Sequence, residues 1–410
     1  MLAVCAFACA AAVCAKDVTV KTTEGIAVTY ALNASEKIAR VKGYTETMKT
    51  KITIPSKIKV DGVTYTVTKI GKAAFKYSDF RTVNIPNTIT LIDQEAFMDS
   101  WVKKCDIPSS VETIGANAFK DAALTSVTIP ANCSQIGLHA FSMSSLTKVV
   151  IEESPRIKLQ IGAWAFAGSS ITQLTLPYRV NKIGEGAFSK TDLTSVVWPD
   201  GISVVPDYCF NYCTDLATVK IPVGVTGIGM YAFANTAALK NVDLPNSLRI
   251  IGEAAFYRTG LDGVQVPEGV VTLEEDAFHN SESLKTIRLP STLKSIGLTC
   301  FQGCDAVTKI YCDALVPPVC ANSVFANGVC DRAELIVPHQ AEAAYRNADT
   351  WWMFFSRAGV DDVINDNEDD NAPAEYYDLS GRRLASPRAG QACIVRRNGK
   401  ACKVVAPVNF

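Results

Sequence analysis

The stretch Ile114-Gly115-Ala116-Asn117-Ala118-Phe119 decides the fold, because the chain repeats it. Two close copies are Ile70-Gly71-Lys72-Ala73-Ala74-Phe75 and Ile183-Gly184-Glu185-Gly186-Ala187-Phe188. The final phenylalanine of the motif recurs at positions 75, 97, 119, 141, 166, 188, 210, 233, 256, 278 and 301. The intervals are 22 or 23 residues, except for one of 25. This period predicts repeating units that can bury their apolar face only by stacking on their neighbours.

A short strand pattern precedes each copy of the motif. Val127-Thr128-Ile129-Pro130 and Val242-Asp243-Leu244-Pro245 are two examples. Their two apolar residues are spaced by two, so they share one face of a strand, and proline ends the strand because it has no N–H. The sequence therefore predicts a mainly β repeat solenoid of about 11–12 coils.

The 25-residue interval is the one irregularity of the period. Its strand ends at Val149-Val150-Ile151-Glu152 without a proline, and three extra residues fall between Glu152 and Gln160. Because the flanking strands must stay in register, we expect this segment to bulge outward.

The repeat unit LxxVxIPxxVxxIGxxAFxxC resembles the BspA-like, Treponema-type leucine-rich repeat over residues 51–325. The resemblance implies a solenoid over residues 51–358, with a β cap over residues 16–50 before it. Trp351-Trp352 and Phe354-Phe355 are interpreted as the terminal cap, because the open end of a solenoid must be covered. The resemblance also implies a secreted or cell-surface protein of host-associated, Bacteroidetes-like bacteria, often linked to adhesion.

The first 15 residues read as a targeting segment. MLAVCAFACAAAVCA is apolar, and Val13 and Ala15 provide the small residues of a signal-peptide cleavage site. A lipoprotein anchored through Cys9 or Cys14 and a buried N-terminal helix are the alternatives. Later segments are not apolar enough for a membrane span, so we expect a secreted or surface-attached protein.

The C-terminal end reads as a separate piece. Residues 359–374 are rich in Asp and Glu and predict a solvated linker. Residues 375–410 begin with YDLSGRR at residues 377–383 and hold a hairpin turn at Arg397-Asn398-Gly399-Lys400. This β segment resembles the C-terminal sorting domain of the type IX secretion pathway. A plain β cap without a sorting role is the alternative.

Eleven cysteines remain after the first 15 residues. Most occupy positions where the repeat needs a small apolar residue, so we expect buried thiols at Cys105, Cys133, Cys209, Cys213, Cys300, Cys304 and Cys312. A metal pair at 209/213 or 300/304 is the alternative interpretation. Cys320/Cys330 and Cys393/Cys402 are candidate disulfides.

Composition excludes several function classes. The formal net charge is −1, whereas a nucleic-acid binder needs a strongly basic face. The three histidines, His139, His279 and His339, are far apart, and no nucleophile triad, phosphate loop or metal motif is present. We therefore expect no enzyme, no metal and no cofactor.

Binding must then depend on outward-facing residues that occupy the same repeat position in successive coils, here called columns. On the strand face, Val150, Thr175 and Val197 form a less polar patch. Two residues after the glycine of the motif, Trp164, Tyr208 and Tyr231 fall within four coils. Aromatic side chains in a row suit protein or carbohydrate surfaces. The alternative interpretation is that they only pack between coils.

The sequence therefore predicts a non-enzymatic adhesion or ligand-binding solenoid. Its partner would be a host extracellular-matrix protein, another surface protein or a glycan. A structural scaffold of the cell envelope and a glycan-capturing module for nutrient uptake are the alternative functions.

Overall fold

The structure, a computed structural model, describes residues 16–321, 323–326, 328–355, 375–378, 381–386, 392–397 and 400–405. The chain forms a β-solenoid of about 12 turns, which confirms the predicted fold class. It divides into two compact units, Met1–Gln160 and Ile161–Phe410. The predicted signal peptide (residues 1–15) and the acidic linker (residues 359–374) lie outside the described residues.

The first unit begins with a β cap. The first three strands are antiparallel. The third pairs in parallel with the second strand of a hairpin, which begins the repeats. These strands are Lys16–Lys21, Ala27–Asn33, Ile38–Tyr44, Lys57–Val60 and Val63–Ile70. Alternation supports the pairing, since half-buried Thr29 separates buried Val28 and Tyr30, and exposed Arg40 separates buried Ala39 and Val41.

Each coil of the first unit has two short strands. The strands before the Pro position are Lys51–Thr53, Thr82–Asn84, Lys104–Cys105, Ser126–Ile129 and Lys148–Ile151. The strands that end at the motif isoleucine are Leu91–Ile92, Thr113–Ile114, Gln135–Ile136 and, at the unit boundary, Leu159–Ile161. Pairing is parallel, as in Thr113 with Gln135, one period further on. Residues 152–158 form a largely exposed loop at the insertion.

The second unit continues the same pattern. The first strands of its coils are Ser195–Val197, Thr218–Lys220, Gly263–Gln265, Thr286–Leu289, Lys309–Cys312 and Glu334–Ile336. The second strands are Val180–Ile183, Val204–Val205, Gly227–Ile228, Ile250–Ile251, Thr272–Leu273, Ser295–Ile296 and Val319–Cys320. Two coils have a single bridge residue in place of the first strand. Gln173 bridges Ser195, and Asp243 bridges Lys220.

The core of each unit is a ladder of phenylalanine rings. In the first unit the rings of Phe75, Phe97, Phe119 and Phe141 stack at centroid distances of 5.0–5.2 Å. In the second unit the ladder runs from Phe166 to Phe301 at 5.3–5.9 Å. All the anchor rings are buried, so the period of the sequence is the period of the core.

The turn that carries the phenylalanine holds two left-handed residues per coil. The first stands two positions after the motif glycine and the second four positions later, as Trp164 and Gly168 show with φ of 54° and 71°. Left-handed backbone costs an L-residue about 1–2 kcal/mol. The N–H of the first such residue donates to a carbonyl of the next coil, as in Tyr208 to Met230 at 2.8 Å. Every second N–H group of the turn donates instead to a carbonyl of the same turn, as Asn211 does to Tyr208. Most backbone donors of the turn are therefore paired.

Buried aromatic residues close the C-terminal end of the solenoid. Phe325 extends the phenylalanine ladder and meets Trp351 and Phe354 edge to face. The cap contains α-helices Val329–Arg332 and Glu342–Asn347 and 3-10 turns His339–Ala341 and Trp351–Phe354. Tyr345 donates its hydroxyl proton to Ala314 O (2.9 Å). Trp351 to Phe354 are buried, and Phe355 is half-buried.

The C-terminal strands contact this cap. They are Glu375–Tyr377, Arg383–Leu384, Ala392–Arg397 and Lys400–Val405, and they form an antiparallel sheet. The ring of Tyr377 lies 5.5 Å from that of Trp352. Arg396 Nη2 donates to Asn347 O at 2.8 Å.

The cysteines are mainly core residues. Cys105, Cys133, Cys209, Cys213, Cys300, Cys304 and Cys312 are buried, which confirms their predicted environment. The bridge between Cys320 and Cys330 is wrong, since both are free thiols. Cys330 packs against Trp352, Met353 and Tyr377, whereas Cys320 Sγ lies 3.8 Å from Pro318 O. The proposed Cys393/Cys402 bridge involves the side chain of Cys402, which lies outside the described part of the chain.

Candidate ligand-binding surface

The three aromatic residues selected from the sequence contact one another in the second unit. The ring centroids of Trp164 and Tyr208 are 6.0 Å apart, and those of Tyr208 and Tyr231 are 5.3 Å apart. The two tyrosine rings are almost parallel, with an interplanar angle of 2°. All three side chains are half-buried. The row is therefore both a packing contact between coils and a surface.

Gly186 makes the row continuous. It occupies the coil between those of Trp164 and Tyr208, at the same left-handed position, with φ of 59°. A Cβ on Gly186 would lie 2.3 Å from Cε3 of Trp164. The indole thus lies across the glycine and reaches the coil of Tyr208.

The structure extends the row by two residues that the sequence did not suggest. Tyr257 lies 6.3 Å from Tyr231, and His279 lies 5.4 Å from Tyr257, each measured between ring centroids. Both residues directly follow the anchor phenylalanine of their coils, whereas the first three stand two positions before it. A comparison of one repeat position from coil to coil therefore misses Tyr257 and His279. The sequence did contain a signal for them, since each directly follows its anchor, Phe256 or Phe278. We call Trp164, Tyr208, Tyr231, Tyr257 and His279 the aromatic row.

Carboxylates lie along the aromatic row. Exposed acids directly before the left-handed position are Glu185, Asp207, Glu253 and Glu275. Asp207 is fixed by accepting the N–H of Met230 at 2.8 Å. At the far end Asp276 lies 2.6 Å from Nδ1 of His279 and accepts the hydroxyl of Thr299. The row therefore combines ring edges with hydrogen-bond acceptors and exposed acids, and Arg258 lies 5.4 Å from the ring centroid of Tyr257.

The tyrosine hydroxyls of the row are available as donors. Burial, followed by the nearby carboxylates of Glu253 and Asp276, raises the pKa of Tyr231, so the phenol stays protonated. Among the described residues, no hydrogen-bond partner is found for the hydroxyl of Tyr208 or of Tyr231. Both hydroxyls can therefore donate to a bound molecule.

The strand-face residues are placed less favourably. Thr175 is exposed, and it stands in register with Val197 because Gln173 bridges Ser195. Val197 is 59% exposed and pairs with Lys220. Val150 is 41% exposed and lies on a strand of the first unit, where it pairs with Thr128. In the described pairings none of these three exposed positions has an aromatic neighbour.

The buried thiols are poor nucleophiles. Burial raises the pKa of Cys105 to about 12, and the pKa of Cys213 is raised to about 11 for the same main reason. A thiol needs a lowered pKa to react at neutral pH. Within the described residues, no group of His, Cys, Asp and Glu side chains is arranged to hold a metal ion. In the same part of the chain, every helix is too short or too polar to cross a bilayer.

Comparison with known proteins gives a family and a fold. The BspA type Leucine rich repeat region matches in six copies, over residues 50–158, 155–261 and 226–343. No curated protein matches the sequence.

Several solved crystal structures are similar. A leucine-rich repeat protein from Bacteroides ovatus is 22% identical with a TM-score of 0.57, and the match covers 79% of this chain and 89% of that one. The pneumococcal vaccine antigen PcpA is 23% identical with a TM-score of 0.53, and the match covers 80% of this chain and 95% of that one.

Proposed function

The chain belongs to the BspA-type leucine-rich repeat family, and on this basis we propose that it is a secreted or surface-displayed binding protein without catalysis. Leucine-rich repeat solenoids are typically non-enzymatic scaffolds. The observation that carries the proposal is the aromatic row, in which half-buried rings contact one another in series beside exposed carboxylates.

The orientation of the rings favours a protein partner over a glycan. A sugar ring stacks on the open face of an aromatic side chain. The faces of Tyr208 and Tyr231 are turned toward each other at 5.3 Å, so their edges and hydroxyls face solvent. Tyrosine and tryptophan edges with polar tips are enriched at protein interfaces, because a rigid ring loses little entropy on binding.

The charge beside the row indicates the character of that partner. Asp207 directly precedes Tyr208, and Glu253 directly precedes Ala254. Glu275 occupies the same position in the next coil, and all three carboxylates are exposed. Complementary charge speeds association and selects against acidic partners. The proposed partner is therefore a host extracellular-matrix or other surface protein with a basic contact surface.

We propose the finer assignments of the ends as part of the same function. The apolar residues 1–15 suit a signal peptide, and residues 375–410 suit a sorting segment of the kind found in Bacteroidetes. The domain boundaries proposed are 16–50 for the β cap, 51–358 for the solenoid with its cap and 359–374 for the linker. Surface immunolabelling of cells that express the chain with and without residues 375–410 tests the sorting role. Equal labelling of both would contradict it.

Binding itself is tested with arrays. The purified chain, labelled at a C-terminal tag, is applied to an array of extracellular-matrix and host surface proteins and to a glycan array. We expect signals on basic proteins that fall as salt is raised, because exposed charges are screened. Signals confined to the glycan array would contradict the proposal. Light scattering that shows self-association without array binding would favour the scaffold alternative.

A further inference from the structure

The first unit contains a cavity that is open to solvent. It has a volume of about 360 Å³ and lies where the β cap meets the first coil. Its walls include Tyr44, Tyr77 and Phe80 together with the acids Glu46 and Asp79. Pockets for small ligands are of similar or larger size. The cavity lies in the first unit and the aromatic row in the second, so the two candidate sites share no residue.

Two of the three aromatic walls, Tyr44 and Phe80, are held in place by the core. Phe80 is buried and lies 4.9 Å from Tyr44, whose ring also stacks on Phe75 at 5.7 Å. Tyr77 is 67% exposed and carries the ammonium of Lys76 at 5.1 Å from its ring centroid. Aromatic rings attract cations through their negative faces, and Tyr77 already does so within the chain.

Two carboxylates of the cavity lack a counter-ion. Within the described residues, no cation pairs with Glu46 or Asp79. The neighbouring Lys76 is occupied, since its ammonium lies 2.9 Å from Glu95. Lys49 also lines the cavity, and its ammonium donates to the carbonyl of Glu24. The lining therefore has one more acid than base.

We propose that this cavity binds an arginine side chain of a partner polypeptide. A guanidinium is planar, stacks on aromatic rings and accommodates two carboxylates through its fork of donors, whereas an ammonium offers a point charge. Glu46 and Asp79 line the same cavity as Tyr44. Burial, and then the charges of Asp79 and Glu46, raises the pKa of Tyr44. Met48 is fully exposed. The residues beside the arginine in the partner would cover this apolar side chain.

The test is calorimetric titration of the full chain with the peptide acetyl-Gly-Arg-Gly-amide. Peptides with lysine or norleucine in place of arginine, and free arginine, serve as comparison ligands. We expect the arginine peptide to bind most tightly, and binding to weaken as salt is raised. Equal binding of the norleucine or lysine peptide overturns the proposal, and equal binding of free arginine overturns the assignment to a polypeptide.

Three variants locate the site. Glu46→Gln with Asp79→Asn should weaken binding of the arginine peptide about tenfold, because both charge-assisted contacts are lost. Lys49→Gln should strengthen binding, because it removes the competing charge. Asp106→Asn with Glu112→Gln makes the same charge change at exposed acids outside the cavity and should leave binding unchanged. A folded Glu46→Gln/Asp79→Asn variant with the affinity of the unmodified chain would contradict the site.

Discussion

The indole of Trp164 lies over the backbone of Gly186, so close that a Cβ on the glycine would stand 2.3 Å from Cε3 of the ring. The glycine therefore does not interrupt the aromatic row. Its lack of a side chain lets Trp164 span one coil and reach Tyr208 at 6.0 Å. A larger residue at this position would force the indole away and separate it from the tyrosines.

Gly186→Ala is expected to destabilise the chain by about 2 kcal/mol, through the left-handed backbone and the clash with Trp164. Gly227→Ala is the matched control, because its Cβ would meet Val204 at an ordinary 3.6 Å. Chemical denaturation gives both values. In a Trp164→Ala background the cost of Gly186→Ala should fall, since only the backbone contribution remains. An unchanged cost in that background would mean that the two residues do not interact.

Phe188→Ala tests the core ladder. Phe188 is buried and stacks on Phe166 and Phe210 at 5.9 and 5.7 Å. The coils on either side limit collapse of the cavity, so we expect a loss of about 3–5 kcal/mol in the free energy of unfolding. Val223→Ala, at a side chain that is 90% exposed, should change it by less than about 0.5 kcal/mol. A loss below about 1 kcal/mol for Phe188→Ala would contradict the ladder as the core.

Buried thiols predict how stability depends on pH. The ordinary thiol pKa is 9.0, and the pKa of Cys213 in the folded chain is about 11. Because the unfolded chain releases this proton first, the stabilisation is complete below pH 9.0 and is lost as the pH rises toward 11. Denaturation curves at increasing pH, compared with those of Cys213→Ala, measure this contribution. If the difference between the two chains does not vary with pH in that range, the thiol is not buried as described.

Arg396 tests the contact between the C-terminal strands and the cap. Its guanidinium donates to Asn347 O at 2.8 Å and lies 5.8 Å from the ring centroid of Trp352. Arg396→Ala should increase hydrogen exchange in residues 351–354 about fivefold, equivalent to about 1 kcal/mol. Arg382→Ala, at an exposed side chain in the turn before strand Arg383–Leu384, is the control. Unchanged exchange in Arg396→Ala would show that the strands do not stabilise the cap.

The period of the sequence was enough to predict the solenoid. Each Phe from Phe75 to Phe301 is buried at the spacing of the repeat, because stacking requires the same residue type at the same depth in every coil. The pattern that ends at Ile129 before Pro130 likewise predicted the strand Ser126–Ile129, since proline cannot donate to a strand ladder. The same pattern at Val242-Asp243-Leu244 forms only an isolated bridge at Asp243.

The candidate surface was only partly predictable. Trp164, Tyr208 and Tyr231 share a column that sequence comparison reveals, but their left-handed backbone has no signature in tryptophan or tyrosine. Gly186 occupies that column between Trp164 and Tyr208, and its part in the row follows only from the position of the indole. Tyr257 and His279 belong to a neighbouring column, and only coordinates show that their rings reach the first. The Cys320/Cys330 bridge was wrong because both thiols are free, and sequence spacing does not decide whether two thiols are joined.

The most direct test of the aromatic row as the binding surface removes its hydroxyls and keeps its rings. Tyr208→Phe with Tyr231→Phe preserves the stacking at 5.3 Å, so the denaturation midpoint should stay within error of the unmodified chain. On the array of extracellular-matrix and host surface proteins we expect binding to fall about tenfold, because two donors to the partner are lost. Tyr212→Phe, at an exposed tyrosine off the row, should bind like the unmodified chain. Full array binding by the folded Tyr208→Phe/Tyr231→Phe chain would contradict the account.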